Sequence, residues 1–116
     1  KIEDGAFLGP HVVFTNDLHP RSGYPKPMSK TKIGTGATIG AGAVILSDIE
    51  IGEFSMVGAG AVVTKSVKPQ NLVYGNPAKV QGWVCKCGLK LKDESSILCT
   101  CSRKYYISED GVLIEQ

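Results

Sequence analysis

The chain has 116 residues, of which 42% are hydrophobic and 21% are charged, and its formal net charge is +2. This composition predicts one modest globular domain with a small appendage and excludes an intrinsically disordered chain. The small net charge gives no case for nucleic-acid binding, and no apolar run reaches the roughly 20 residues needed for membrane insertion. No signal-peptide pattern opens the chain, so we expect a cytoplasmic protein.

A six-residue repeat is present from the start of the chain, where Ile2, Leu8 and Phe14 follow one another at this spacing. Because the chain opens with Lys1 in the middle of this repeat, we expect earlier N-terminal coils to be missing. From position 33 an aliphatic residue again returns at every sixth position, and a small or aliphatic residue lies four positions after each one. The second run contains Ile33, Ile39, Ile45, Ile51, Val57 and Val63.

This spacing fits neither an amphipathic helix, which needs apolar residues three and four apart, nor an ordinary alternating strand. Gly-rich hexads instead predict a parallel β-helix, an all-β fold in which three hexads complete one coil of a triangular prism. The aliphatic residue of each hexad is expected to point into the prism. Gly follows it directly in four hexads, and we expect this glycine to allow a corner with positive φ.

The segment FTNDLHPRSGYPKPMSKTKIG, residues 14–34, interrupts the repeat. The separation between Phe14 and Ile33 is not a multiple of six, and three prolines between them cannot donate sheet hydrogen bonds. We therefore predict a loop over about residues 18–32 that leaves the prism. Polar loops on rigid scaffolds often carry binding and catalytic groups, although a surface excursion without chemistry fits the same residues.

Two side chains of this segment suit acyl transfer, which needs a proton acceptor and groups that orient the reactants. His19 ionises near neutrality and Asn16 offers both hydrogen-bond donors and an acceptor, so we predict both in a catalytic site. The alternative for His19 is an exposed loop histidine. His11 lies within a repeat and is interpreted as structural. Further candidates, for holding a substrate, are Asp17, Arg21 and Glu3.

Basic residues are absent from positions 33 to 64 and then return as Lys65, Lys68 and Lys79. A basic cluster at one end of a neutral groove suits the phosphates of coenzyme A, whose long arm would lie along the coils. The alternative is a solvated basic rim. Apolar side chains on the flat faces, such as Val44, Met56 and Val62, predict that the prism associates with copies of itself.

The four cysteines lie at the end of the chain, as two C-x-C pairs separated by eleven residues. After them, KYYI and VLI flank SEDG, which predicts a hairpin. A segment of ~30 residues cannot build a sufficient core, so we predict a zinc-ribbon-like appendage over 85–116, following a β-helix domain over 1–84. C-x-C is shorter than the usual C-x₂-C, so disulfides or a site without metal remain alternatives. The predicted zinc ligands are Cys85, Cys87, Cys99 and Cys101.

The segment IGAGAVILSDIEIGEFSMVGAGAVVTKSVKPQNLVYGNPAKV, residues 39–80, resembles the hexapeptide-repeat acyltransferases. The resemblance covers about residues 2–84 and implies a left-handed parallel β-helix, acetyl-CoA as cosubstrate, and a homotrimer with sites between subunits. For the donor it implies backbone contacts to the pantetheine arm at two alanines, with three further residues near the nucleotide and its phosphates. These positions are Ala41, Ala59, Thr64, Lys65 and Lys79.

The segment GPHVVFTNDLHP, residues 9–20, is similar to two subfamilies at once. His19 with the following Pro matches the catalytic pair of galactoside and maltose acetyltransferases. The run FTND followed by PR is closer to sugar-nucleotide N-acetyltransferases, where the residue matching Asn16 lies near the reacting centre and a UDP- or dTDP-linked amine attacks with little help from a base. The C-terminal cysteines also favour that subfamily.

The resemblance therefore implies an acetyl-CoA-dependent N-acetyltransferase that acts on a nucleotide-linked amino sugar in surface-polysaccharide (lipopolysaccharide) biosynthesis. Two alternatives stay open: a sugar O-acetyltransferase of the galactoside or maltose type, and a non-catalytic β-helix that binds a partner. Whether His19 or the substrate amine supplies the base also stays open.

Overall fold

The computed structural model describes residues 1–15, 30–92 and 96–116. Within these ranges the chain forms fourteen β-strands, and no helix there is long and apolar enough to cross a membrane. The strands are β1 Phe7–Leu8, β2 Val13–Phe14, β3 Lys32–Ile33, β4 Thr38–Ile39, β5 Val44–Ile45, β6 Glu50–Ile51, β7 Met56–Val57, β8 Val62–Val63, β9 Asn71–Gly75, β10 Ala78–Val84, β11 Lys90–Leu91, β12 Ser96–Leu98, β13 Lys104–Ile107 and β14 Leu113–Glu115.

The first eight strands are two residues long and pair in parallel with strands one coil away, so they form three narrow faces of a prism. Face A contains β3 and β6, face B contains β1, β4, β7 and β9, and face C contains β2, β5 and β8. Each coil contributes one strand to each face, as three hexads per turn require. The predicted parallel β-helix is thus confirmed.

The interior of the prism is a stack of the repeated aliphatic residues. The six residues of the second run are each at most 1% exposed, and Ala37, Ala43 and Ala61 between them are fully buried. These alanines lie four positions after the repeated aliphatic residues, and their small side chains leave room for the branched side chains of the coils above and below. The inward orientation predicted for the repeat is therefore confirmed.

The expected role of the glycine that follows each aliphatic residue was wrong. Positive φ occurs two positions later, for example at Gly42 and Gly60, where φ is 72° and 71°. Gly40, directly after Ile39, is required for a different reason: a Cβ there would lie 2.5 Å from the Ala59 backbone nitrogen. The corners of successive coils stack so closely that a side chain at this position would collide with the next coil.

The registers on both sides of the interruption show that residues are inserted there. Ile39 pairs with Val57, which lies three hexads further along the chain, whereas Leu8 pairs with Ile39, which lies more than five hexads further along. The surplus of just over two hexads is an insertion between face C and face A. Residues 16–29, which include most of the predicted loop, lie outside the described residues, and Lys32 at its predicted end already belongs to β3.

The end of the chain has a second, separate core. Strands β9 and β10 form an antiparallel hairpin that continues face B, and β11 adds to its edge. Strands β12 to β14 form a further antiparallel sheet, in which β13 and β14 make the predicted hairpin. The buried residues of this second core are Cys85, Leu91, Ile97, Cys99 and Tyr105. The division into 1–84 and 85–116 stays a prediction.

The cysteine segment, residues 85–116, and Val84 directly before it contact one corner of the prism. Gln70 Nε2 donates a hydrogen bond to the Val84 carbonyl at 3.1 Å, and the Lys86 ammonium lies over the Phe54 ring. Gly88 lies near the end of the Met56 side chain. Met56 is therefore on face B beside the cysteine segment, whereas Val44 and Val62 lie on face C. The predicted self-association of the faces stays a prediction.

Candidate functional site

The two alanines predicted to contact the donor are stacked on one corner, between faces B and C. This donor corner consists of residues 9–12, 40–43 and 58–61. The Gly60 N–H donates to the Ala41 carbonyl at 2.8 Å, and both Ala41 and Ala59 are exposed. Their small side chains leave the backbone of adjacent coils open to a ligand.

The two predicted phosphate-binding lysines line one cavity at the C-terminal end of the prism. Lys65 follows β8, whereas Lys79 comes from β10, where it pairs with Tyr74. Thr64 is exposed beside Lys65. The cavity has a volume of about 250 Å³ and its described lining contains no acidic residue. Two ammonium groups without a nearby carboxylate suit a phosphorylated ligand.

The acceptor residues are only partly described. Asn16, Asp17, His19 and Arg21 lie outside the described residues, so their positions stay predictions. The chain remains on the prism up to Thr15, whose N–H donates to the Ile45 carbonyl at 3.0 Å.

Glu3 is placed away from the donor residues. It lies on the corner between faces A and B and its carboxylate is 3.3 Å from the Lys1 ammonium. It lines a cavity of about 640 Å³ on face A together with Lys32 and Glu50, whose charged groups are 4.0 Å apart. Within one chain the structure does not bring Glu3 to the lysine-lined cavity.

The four cysteines converge on one point, as predicted. Their Sγ atoms all lie within 4.8 Å of one another, with 3.4 Å between Cys85 and Cys101 and 3.5 Å between Cys87 and Cys99. Thiolates bound to one zinc at about 2.3 Å are separated by about 3.8 Å in a tetrahedron. The cluster is thus of the right size for a Cys₄ metal ion.

Two further residues contact the sulfurs and were missed by the sequence reasoning, although both closely follow the last cysteine. The buried Tyr105 hydroxyl is 3.2 Å from Cys85 Sγ, and Arg103 Nη1 donates to Cys101 Sγ at 3.4 Å. Hydrogen bonds from the Arg103 backbone N–H and guanidinium lower the pKa of Cys101 to about 6. Burial and the bond to Cys85 raise the pKa of Tyr105 to about 12. Tyr105 therefore stays a donor toward a thiolate.

The repeats are also recognisable by comparison with known proteins. Residues 30–65 match the sequence family described as bacterial transferase hexapeptide (six repeats). Residues 30–65 therefore carry the repeat that is typical of the hexapeptide-repeat transferases. Together with the three-faced parallel topology, this match confirms the left-handed β-helix that the resemblance implied.

Three individual proteins show how far the likeness to this hexapeptide-repeat chain extends. The dTDP-3-amino-3,6-dideoxy-α-D-galactopyranose 3-N-acetyltransferase of Aneurinibacillus thermoaerophilus is 48% identical over 90 residues, which are 77% of this chain and 46% of that protein. The structure of PerB from Caulobacter crescentus, in complex with CoA and GDP-perosamine, is 29% identical with a TM-score of 0.52, covering 65% of this chain and 30% of that one.

The third is a maltose O-acetyltransferase from Clostridium difficile 630, with 35% identity, a TM-score of 0.63, and coverage of 73% and 49% of the two chains. The present chain spans less than half the length of each of these proteins.

Proposed function

We propose that the protein is an acetyl-CoA-dependent N-acetyltransferase that acts on a nucleotide-linked amino sugar. The observation that carries this proposal is the 48% identity, over 77% of the chain, to an enzyme named for acetylating a dTDP-linked 3-amino sugar. The Caulobacter protein solved with CoA and GDP-perosamine adds a second relative bound to a nucleotide sugar.

The described geometry supports the following arrangement of the acetyl donor. The phosphates of acetyl-CoA would bind Lys65 and Lys79 in their shared cavity, with Thr64 alongside. The pantetheine arm would then run along the donor corner past Ala59 and Ala41, whose exposed backbone offers hydrogen-bonding groups at intervals of one coil, about 4.8 Å. The thioester would end near the first coil, which directly precedes the insertion in the sequence.

The acceptor side rests on residues 16–21. Asn16 would orient the sugar amine against the thioester carbonyl, and Arg21 would pair with the diphosphate of the nucleotide. Asp17, and Glu3 from a neighbouring copy, are further candidates for holding the sugar. An amine that has lost its proton is already nucleophilic, so His19 would assist the transfer without being indispensable.

An O-acetyltransferase is the second candidate, and the 35% identity to a maltose O-acetyltransferase favours it. A hydroxyl acceptor needs a base, and His19 followed by Pro is the residue pair that would supply one. The two candidates share the donor site and differ only in what attacks the thioester.

The cysteine cluster fits a structural zinc ion. Four sulfurs would fill the tetrahedral positions and leave none open for substrate, so zinc would hold the fold of residues 85–116 without taking part in the reaction. The Tyr105 hydroxyl and the Arg103 guanidinium would donate to two of the thiolates and disperse the negative charge of the cluster.

We further propose a homotrimer in the cytoplasm, with a product destined for a surface polysaccharide. The support for assembly is the row of apolar side chains along face C, where Val13 is 50% exposed and stacks in register with Val44 and Val62. Three-fold closure over such a face would remove this apolar surface from water. Light scattering of the full chain tests the trimer directly.

Thioester cleavage tests the proposed function. Acetyl-CoA is supplied with a panel of UDP-, dTDP- and GDP-linked amino sugars and with the matching hydroxyl sugars, and free CoA is measured. We expect release of CoA with an amino sugar and acetylation of its nitrogen. Turnover only with hydroxyl sugars would establish the O-acetyltransferase instead. Failure to bind acetyl-CoA would leave a β-helix that binds a partner without catalysis.

A further inference from the structure

At eight corners of the described prism, the residue three positions after the inward-pointing side chain has a left-handed backbone. Glycine occupies it at four of these corners, namely Gly5, Gly36, Gly42 and Gly60. Four residues with side chains take the same conformation, with φ between 54° and 66°, namely His11, Asp48, Phe54 and Gln70. Because residues other than glycine rarely adopt this region, each of these side chains is kept at a conformational cost.

Two of the four are accounted for by contacts with Val84 and with the cysteine segment that follows it. The Phe54 ring lies over Gly36 and beneath Lys86, and the Gln70 amide donates to the Val84 carbonyl. His11 is different because its side chain is exposed, and because the residues stacked on it in the next two coils are both glycine. The corner itself therefore does not need a side chain there, and strain of this kind is found at functional positions.

His11 lies on the donor corner, at the end opposite the lysine-lined cavity. The Pro10 carbonyl accepts a hydrogen bond from Gly42, and the Ala41 carbonyl accepts one from Gly60, so the three coils are stacked directly. Two coil spacings, about 10 Å, separate Ala59 from the first coil. Thr15, after which the predicted acceptor segment begins, is on the same coil as His11.

We propose that His11 is a further residue of the transfer site, with its imidazole facing the acetyl end of the bound donor where the acceptor attacks. The inference rests on the proposed function, because Lys65 and Lys79 define which end of the corner holds the phosphates. It replaces the interpretation of His11 as a structural residue of the repeat. Its imidazole has one donor and one acceptor nitrogen when neutral, which suits a hydrogen bond to an acceptor amine or hydroxyl.

Histidine NMR tests the position without requiring turnover. The 116-residue chain has two histidines, so its His19→Asn variant leaves His11 as the single imidazole. The isotope-labelled variant is titrated with acetyl-CoA and, separately, with the nucleotide half of CoA, which has the phosphates but no pantetheine arm. We expect acetyl-CoA to move the His11 ring resonances and the nucleotide half to leave them in place while competing for the same site.

The outcomes separate this inference from the proposed function. Acetyl-CoA that binds without moving the His11 resonances overturns the inference and leaves the proposed function standing. Absence of acetyl-CoA binding overturns both.

Kinetics of His11→Gly provide the second test. Glycine suits the left-handed corner, so we expect a melting temperature no lower than that of the wild type, whereas a structural role predicts a lower one. We expect kcat/KM for the acceptor to fall roughly 10-fold, with little change in KM for acetyl-CoA. His11→Asn, which tolerates the same backbone and keeps a polar group, should recover part of the loss.

The matched control is Asp48→Gly, which removes a side chain from the same left-handed position on the corner between faces C and A. We expect wild-type kinetics from this variant. Wild-type kinetics from His11→Gly as well would overturn the inference.

Discussion

The Lys86 ammonium lies 5.5 Å from the centre of the Phe54 ring, so the first cysteine pair is held against a corner of the prism. Lys86 also forms an ion pair with Glu115 at 3.0 Å, which connects the last strand to the same corner. The contact joins two cores that otherwise share few side chains.

A double-mutant cycle on Phe54→Leu and Lys86→Met should therefore reveal coupling between the two cores. We expect a coupling free energy of about 0.5–1 kcal/mol, the usual size of a partly exposed cation–π contact. Urea denaturation of the two single variants and the double variant measures it. Lys104→Met, on the exposed side of β13, serves as the control partner and should show no coupling with Phe54→Leu. Strict additivity of the Phe54 and Lys86 effects would mean that the contact does not stabilise the docking.

The lysine-lined cavity gives a prediction about donor affinity. Lys65→Met and Lys79→Met should each weaken CoA binding by about 1 kcal/mol, or roughly 5-fold, because each removes a partly screened charge pair with phosphate. Binding of a pantetheine thioester without the nucleotide should be unchanged. Calorimetry with both ligands measures the difference, and Lys32→Met on face A is the control. Equal losses for the two ligands would show that these lysines are only rim charges.

The cysteine cluster predicts one equivalent of zinc per chain. Removing the metal with a chelator should unfold residues 85–116 and leave the prism folded, since the aliphatic stack does not depend on the sulfurs. Metal analysis gives the stoichiometry, and limited proteolysis shows which part becomes sensitive. Cys99→Ser, which removes a buried ligand, should reproduce the effect. A folded protein with no zinc and four titratable thiols would exclude the ribbon.

The stacked corners predict that two neighbouring glycines respond differently to the same substitution. Gly40→Ala would place a Cβ 2.5 Å from the Ala59 nitrogen, and we expect a loss of about 3 kcal/mol or more in the free energy of unfolding because backbone must move. Gly42→Ala enters open space but at φ 72°, which should cost about 1 kcal/mol. Urea titration of both variants decides the order, and the reverse order would contradict the close approach of the coils.

The acceptor segment predicts how the two proposed activities would separate. With an amine acceptor, His19→Ala should lower kcat by about 10-fold and Asn16→Ala by more, because misplacing the reacting atoms costs more than losing an optional base. With a hydroxyl acceptor, His19→Ala should cost roughly 10²–10⁴-fold and remove an ionisation near neutrality from the pH profile. The measurement is kcat against pH with the best acceptor. Near wild-type activity in both variants would leave residues 16–19 without a role in the reaction.

The prism could be predicted from the sequence because every coil must bury an aliphatic residue at the same repeated position. An aliphatic residue at every sixth position can be buried only if the chain turns a corner each time, and Ile33 to Val63 satisfy this without exception. The role of Gly40 could not be predicted, since the repeat shows that a side chain is absent but not which neighbouring coil excludes it.

The sequence predicted individual groups of site residues, but not how the fold brings these groups together. The cysteine cluster could be predicted because the short spacing within each C-x-C pair is visible directly in the sequence. The meeting of Lys65 and Lys79 depends on the antiparallel return of β10, which no hexad encodes. The contact of Phe54 with Lys86 depends on how two unlike units dock, and the composition of neither unit specifies that.

The strand pairs that span the insertion keep one common register, and this has a consequence for how such a protein can change. Leu8–Ile39 and Phe14–Ile45 have the same offset, so the coils stack as if the inserted residues were absent. Stability in such a stack comes mainly from contacts between adjacent coils, and lengthening a loop adds only a small entropic cost. The inserted segment can therefore be replaced by one of different length and composition while the prism and its donor corner stay intact. Under the proposed function, the specificity for the acceptor could then evolve, or be engineered, separately from the binding of acetyl-CoA.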